Sequence, residues 1–285
     1  MKKIKLAKKQ KKIAKKILKK YRCNISYNEL NDCFTSDLIT QANNIYNNEL
    51  SSTKNKKKAK AARKKFLDKP YASFTNARDD AYKFANIINV SICPYCNEQS
   101  IYTVFTKKGE PVSRPEFDHF KKKSKFPELQ LSLFNLIPSC HTCNSTLKGQ
   151  KLFDESTHIN PYKADFDEIM KFDLELIGID YLHPNDFQLI FTPRNTACKY
   201  NKLALNNISD FKLIDRYKYH KDEVIKLFKA KQNYDKMKKQ EIRDIVLQSN
   251  IKLETMLFPE KDCDINSTSL GKLKRDISEK FINNI

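Results

Sequence analysis

Two cysteine pairs carry the plainest chemistry in the chain: Cys93 and Cys96 in CPYC, and Cys140 and Cys143 in CHTC. A C-x-x-C turn brings two thiolates to one point, and two such knuckles can close a tetrahedral zinc site in which every position is a protein ligand. A zinc ion held this way is structural, because no coordination position is left for a substrate. The 43 residues between the pairs exceed the usual ribbon spacing, so a segment is expected to loop out from the metal-bound base. His141 sits between the cysteines of the second knuckle and is expected to face solvent instead of zinc. The remaining cysteines, Cys23, Cys33, Cys198 and Cys263, lack such spacing and read as buried or free thiols.

The looped-out segment contains RPEFDHF, from Arg114 to Phe120, where an acid and an imidazole are adjacent in a strand-like run. Neighbours on a strand face opposite sides, so Asp118 can hold a hard metal ion while His119 faces a water. An imidazole with an ordinary pKa of about 6.5 suits a general base at neutral pH. An Asp-His pair alone is more often a surface pair than a site, but two asparagines add to it. Asn135 lies in SLFNLIPSC, and Asn144 directly follows the second knuckle in CHTCNSTLKG. An amide oxygen is a neutral hard ligand, suited to a Mg²⁺ shell that keeps its waters, and zinc in the knuckle would fix where Asn144 sits. Lys148 is a candidate phosphate contact, beside the plainer alternative of a solvated lysine. His158, His183 and His220 have no companions in the sequence that raise them above ordinary histidines.

As an ordered set, CPYC, FDHF, NLIPSC and CNSTLKG resemble the HNH (ββα-metal, His-Me finger) endonuclease family, in particular its zinc-knuckled members, over about residues 90 to 162. The resemblance implies that His119 is the general base, that Asp118 and Asn144 bind a catalytic Mg²⁺ or Mn²⁺, and that Asn135 steadies the loop orienting the base. It also implies metal-assisted hydrolysis that leaves 5′ phosphate and 3′ hydroxyl ends. The chain departs from the letters HNH in the last position, where Asn144 stands for histidine, a variant found among Mg²⁺-using members. The phrases DHFKKKSKFPEL, LFNLIPSCHTCNSTLKG and LIDRYKYHKDEV resemble bacterial defence-associated HNH proteins, including the nuclease subunits of Septu-type antiphage systems. That likeness implies DNA cleavage under the control of an ATPase partner. RNA as substrate is an alternative, as is a zinc-knuckle nucleic-acid-binding module without catalysis.

The elements that must position these residues follow from composition and pattern. With 285 residues, 40% apolar and 31% charged, four glycines and no tryptophan, the chain is expected to be soluble and rich in helix. No apolar run reaches the roughly 18 to 20 residues needed to cross a bilayer. The lysine-rich start lacks the features of a secretory signal, so a cytoplasmic protein is expected. The net charge of +20 is concentrated: residues 1 to 70 hold 21 Lys and Arg against 5 Asp and Glu. Such a field attracts a polyanion, and Lys56, Lys57, Lys58, Arg63 and Lys64 in KNKKKAKAARKKF are candidate phosphate contacts. The first twenty residues, eleven of them lysine, read as a basic helix or arm, with membrane-surface binding as the rival.

The expected fold class is α+β and mostly helical: a small zinc-stabilised ββα-metal core over residues 87 to 165, flanked by a basic helical region, 1 to 86, and a helical region, 166 to 285. Pro70 is expected to end the second basic run. Helices are expected at about 74–88, 217–238, 241–258 and 270–282. Strands are expected at 101–105 and 187–191, with a turn at 107–110.

Overall fold

The structure, a computed structural model, describes residues 1–21, 70–126, 129–180, 182–236 and 264–282. The chain is α+β and mostly helical, as its patterning predicts, with two-stranded antiparallel sheets. The basic cluster of Lys56, Lys57, Lys58, Arg63 and Lys64, the helix expected at 241–258, and Cys23, Cys33 and Cys263 lie outside the described residues. Among the described residues no helix is long and apolar enough to cross a membrane.

Contacts divide the chain into two compact units, one made of Ile4–Val90 and Ile101–Asp154, the other of Met1–Lys3, Ser91–Ser100 and Glu155–Ile285. In the first unit, helix α1 (Lys8–Lys19) buries Ala14, Ile17 and Leu18, three and four residues apart, and leaves its lysines outside. That stripe packs on α2 (Arg78–Ile88), whose Ala81, Phe84, Ala85 and Ile88 face inward. Gln10 Nε2 donates to the Ile87 carbonyl at 2.9 Å, and Asp80 accepts from Lys20 Nζ at 2.9 Å and Tyr21 Oη at 2.6 Å. The basic N-terminal segment is therefore a docked helix. The helical stretch expected from Phe74 starts earlier and is broken: residues 70–76 are helical, a bend falls at Ala77, and α2 ends on Asn89 in the left-handed region. Pro70 is the first described residue of that stretch, and the basic run it was expected to end lies outside the described residues.

Strands β1 (Val104–Phe105) and β2 (Pro111–Ser113) form a small hairpin. Its turn is closed by Thr106 N donating to the Glu110 carbonyl at 2.8 Å, with Gly109 at a φ of 82°. The strand expected over 101–105 shrinks to two residues. Strands β3 (Glu116–His119) and β4 (Leu136–Ser139) pair antiparallel, with Asp118 opposite Ile137 and His119 opposite Leu136. Phe117 on β3 packs among Phe74 and Phe84, with ring centroids 5.9 and 5.2 Å away. A seven-residue wide-turned helix, Thr142–Lys148, follows β4 directly.

In the second unit, β5 (Met170–Leu176) and β6 (Phe187–Pro193) pair over seven residues each, and Met170, Phe172 and Leu174 face inward at alternate positions. The sequence reading found β6 but not β5. The helix Gly271–Ile282, expected at about 270–282, packs on β5. Between them lies a buried ionic network. Lys272 Nζ donates to Asp167 Oδ1 at 2.6 Å and to Asp276 Oδ2 at 2.8 Å, and Arg275 Nη1 donates to Asp167 Oδ2 at 2.9 Å. Asp276 also accepts from the backbone N–H of Phe172 at 2.8 Å. The helix expected at 217–238 resolves into Leu213–Tyr217, a single 3₁₀ turn at Lys218–His220 and Lys221–Lys236, preceded by Asn201–Asp210.

Candidate active site and metal-binding cysteines

Cys93, Cys96, Cys140 and Cys143 are all buried, and their four sulfur atoms lie within 4.8 Å of one another. A tetrahedral ion with Zn–S bonds of about 2.3 Å holds its sulfurs about 3.8 Å apart, so the donors fit zinc as a structural Cys₄ set. Each knuckle is shaped by its own backbone. Cys93 N donates to the Gln99 carbonyl at 2.9 Å, and Asn97, after Cys96, takes a left-handed φ of 56°, which asparagine tolerates better than most residues. In the second knuckle Cys143 N donates to Cys140 Sγ at 3.4 Å. His141 is exposed and turned from the sulfurs, as expected, but it is engaged: its Nδ1 lies 2.7 Å from Glu116 Oε1.

Asp118, His119, Asn144 and Lys148 line one cavity of about 270 Å³ together with Tyr71, Lys122, Lys123 and Lys151. Neighbours on β3, Asp118 and His119 reach it by different routes. The Asp118 carboxylate is buried against Lys148, whose Nζ lies 2.6 Å from Oδ1. The His119 ring leans edge-on against Tyr71, with centroids 4.4 Å apart, and its Nε2 lies 3.0 Å from the Gln130 carbonyl oxygen. A carbonyl only accepts, so Nε2 carries the proton and the neutral ring keeps its lone pair on Nδ1. Burial, together with the charges of Lys123 and Lys148, pushes the His119 pKa down to about 3, against the opposing effect of the Gln130 carbonyl. The imidazole is therefore neutral at pH 7 but, contrary to the near-neutral pKa expected of it, a weaker base than a free imidazole in this environment.

Asn135 is fully buried and its amide is used completely. Oδ1 accepts from Lys121 N at 2.6 Å, while Nδ2 donates to the carbonyls of Lys121 at 3.0 Å and Leu129 at 3.1 Å. It thereby ties together the two ends of the loop that leaves His119 and returns with Gln130. Asn144 stands in the first turn of the Thr142–Lys148 helix. Its Nδ2 donates to Glu116 Oε2 at 2.8 Å, and Ser145 Oγ donates to the same oxygen at 2.9 Å. Burial pushes the Glu116 carboxyl up, but hydrogen bonds from His141, Asn144 and Ser145 outweigh it and hold the pKa below its ordinary value.

One carboxylate and one amide on the wall of a single cavity are hard oxygen donors of the kind a Mg²⁺ or Mn²⁺ ion accepts beside its waters. The Lys148 ammonium already neutralises Asp118, so an ion there shares the carboxylate with it or displaces it. Lys148 is thus neither a solvated side chain nor placed only for a phosphate. Glu116, Gln130 and Tyr71 were not singled out from the sequence. Glu116 had a usable signal, since two residues before Asp118 on a strand is the same face. All three of the other histidines also have partners in the second unit: His158 Nε2 is 3.0 Å from Asp210, His220 Nε2 is 3.2 Å from Glu98, and His183 Nδ1 is 3.9 Å from Asp186.

No family model matches the chain, and no solved structure matches it. The chain is similar to protein ea31 of Escherichia phage lambda, 32% identical over 72 residues, which are 25% of this chain and 20% of that protein. The chain therefore spans about a fifth of the length of the relative it matches.

Proposed function

We propose that the protein is a divalent-metal-dependent endonuclease of the HNH type that hydrolyses phosphodiester bonds of DNA. One observation carries the reading most: in the cavity lined by Asp118 and Asn144, the His119 ring is fixed through Nε2 by the Gln130 carbonyl and keeps Nδ1 for a proton. In the proposed reaction Nδ1 takes a proton from water as it attacks phosphorus. Asp118 and Asn144 would hold Mg²⁺ or Mn²⁺, which when bound supplies charge stabilisation at the phosphate and the departing 3′ oxygen. Lys122, Lys123 and Lys151, which also line the cavity, would supply positive charge for the strand. The zinc knuckles act as scaffold. The wider reading, antiphage defence in a bacterial cytoplasm with an ATPase partner, rests on the sequence resemblance, and RNA is the alternative substrate.

A rival reading, a zinc-knuckle nucleic-acid-binding module without catalysis, is favoured by the Lys148–Asp118 pair, which already gives the carboxylate a counter-charge. Incubation of plasmid and single-stranded DNA with the purified protein and Mg²⁺ or Mn²⁺, beside His119→Ala, separates the two. The endonuclease reading expects cleavage by the wild type and a loss of at least about 100-fold in a variant that keeps its zinc and binds DNA. Equal cleavage by both proteins removes His119 from the mechanism, and binding without cleavage of DNA or RNA by either supports the rival.

A further inference from the structure

The Asn144 amide is hydrogen-bonded to Glu116, the residue immediately before FDHF. An asparagine amide is nearly symmetric in shape but not in chemistry: one end donates two hydrogens, the other accepts. A metal ion takes only the oxygen end, so an inverted amide would aim N–H groups at the cation. Glu116 removes that ambiguity. Its ionised carboxylate has no hydrogen to give, and Oε2 lies 2.8 Å from the Asn144 amide, which can satisfy it only through Nδ2. Ser145 Oγ at 2.9 Å on the same oxygen and His141 Nδ1 at 2.7 Å on Oε1 hold the carboxylate in place from both sides. We propose that Glu116 is a positioning residue that fixes the Asn144 amide with Oδ1 toward the cavity, and so makes it a metal ligand. The inference rests on the endonuclease reading of the cavity and extends it to a residue that does not itself line that cavity.

The test is Mn²⁺ binding to the full-length, zinc-loaded protein, followed by electron paramagnetic resonance, in Glu116→Gln and Asn144→Asp singly and together. Glutamine keeps the size of Glu116 but offers N–H as readily as oxygen, so Asn144 can invert. Loss of one hydrogen bond to a charged acceptor should weaken Mn²⁺ binding about tenfold. Aspartate at 144 presents an oxygen whichever way it turns. In that background Glu116→Gln should weaken nothing, and should tighten binding by removing a second negative charge from beside the new one. A merely structural Glu116 predicts the same loss in both backgrounds, and that result would overturn the proposal, as would no change in either. Asp118→Asn checks the cavity itself: if Mn²⁺ binding to the wild type is unaffected by it, the metal is elsewhere and the reading beneath the proposal fails.

Discussion

Truncating Asn135 probes the loop that presents the candidate base. The wild-type amide makes three hydrogen bonds in a fully buried position, one to Lys121 N and two from its own amino group to the Lys121 and Leu129 carbonyls. At a net value of about 1 kcal/mol each, with a further penalty for backbone groups left unpaired, Asn135→Ala should cost about 3 to 4 kcal/mol. That shifts the folding equilibrium more than roughly a hundredfold, yet leaves a domain of ordinary stability folded. Asn135→Asp sharpens the test. It keeps an oxygen for Lys121 N but loses both donors and sets a buried charge against two carbonyl oxygens, so it should destabilise at least as much as alanine. The assay is denaturant unfolding at saturating zinc, followed by circular dichroism, with the transition slope checked for each variant. Leu129 precedes Gln130, so both variants should also slacken the carbonyl that holds His119 and lower any cleavage rate more than DNA binding. A cost below about 1 kcal/mol for alanine, or a milder effect for aspartate, would refute the clamp.

Metal analysis of the purified protein should find one zinc per chain, and Cys143→Ser should lose it together with several degrees of thermal midpoint; full zinc retention would contradict the four-sulfur site. In the second unit, burial pushes the Asp167 carboxyl up, but Arg275 and Lys272 outweigh it and depress its pKa well below the ordinary 3.8. A depressed carboxyl contributes stability that is fully present above its unfolded pKa and fades as pH falls through the folded one. Asp167→Asn should therefore destabilise by about 3 to 5 kcal/mol at pH 7. The gap to wild type should narrow progressively below about pH 4, and a gap independent of pH down to 2 would show that the carboxylate charge is not what stabilises the pair.

Spacing made much of the site legible. The two C-x-x-C pairs announced a four-sulfur cluster because zinc chemistry demands that grouping, and Asp118 and His119 announced themselves by adjacency. Asn135 was assigned a steadying task only through the family resemblance, and its three buried hydrogen bonds are a physical means of performing it. Glu116 and Gln130 escaped for different reasons. A single glutamate two residues from an aspartate gives no sign of its acceptors, and the Gln130 contact is made by a backbone carbonyl, which no residue type advertises. Strand β5 was missed although MKFDLEL alternates, because charged residues on its outer face diluted the apolar run. The partners of His158 and His220, at sequence distances of 52 and 122, lie beyond anything local pattern conveys.

The Lys148–Asp118 pair bears on how the protein matures. A carboxylate buried as deeply as Asp118 costs several kcal/mol without a counter-charge, and a site that relied on a divalent ion for it would fold only as fast as the ion arrived. Here the counter-charge is encoded thirty residues downstream in the same chain, so β3 and the Thr142–Lys148 helix can close on each other with no borrowed cation. On the proposed metal-dependent reading, folding would then not wait on magnesium, and a divalent ion entering later would share Asp118 with the resident ammonium or displace it.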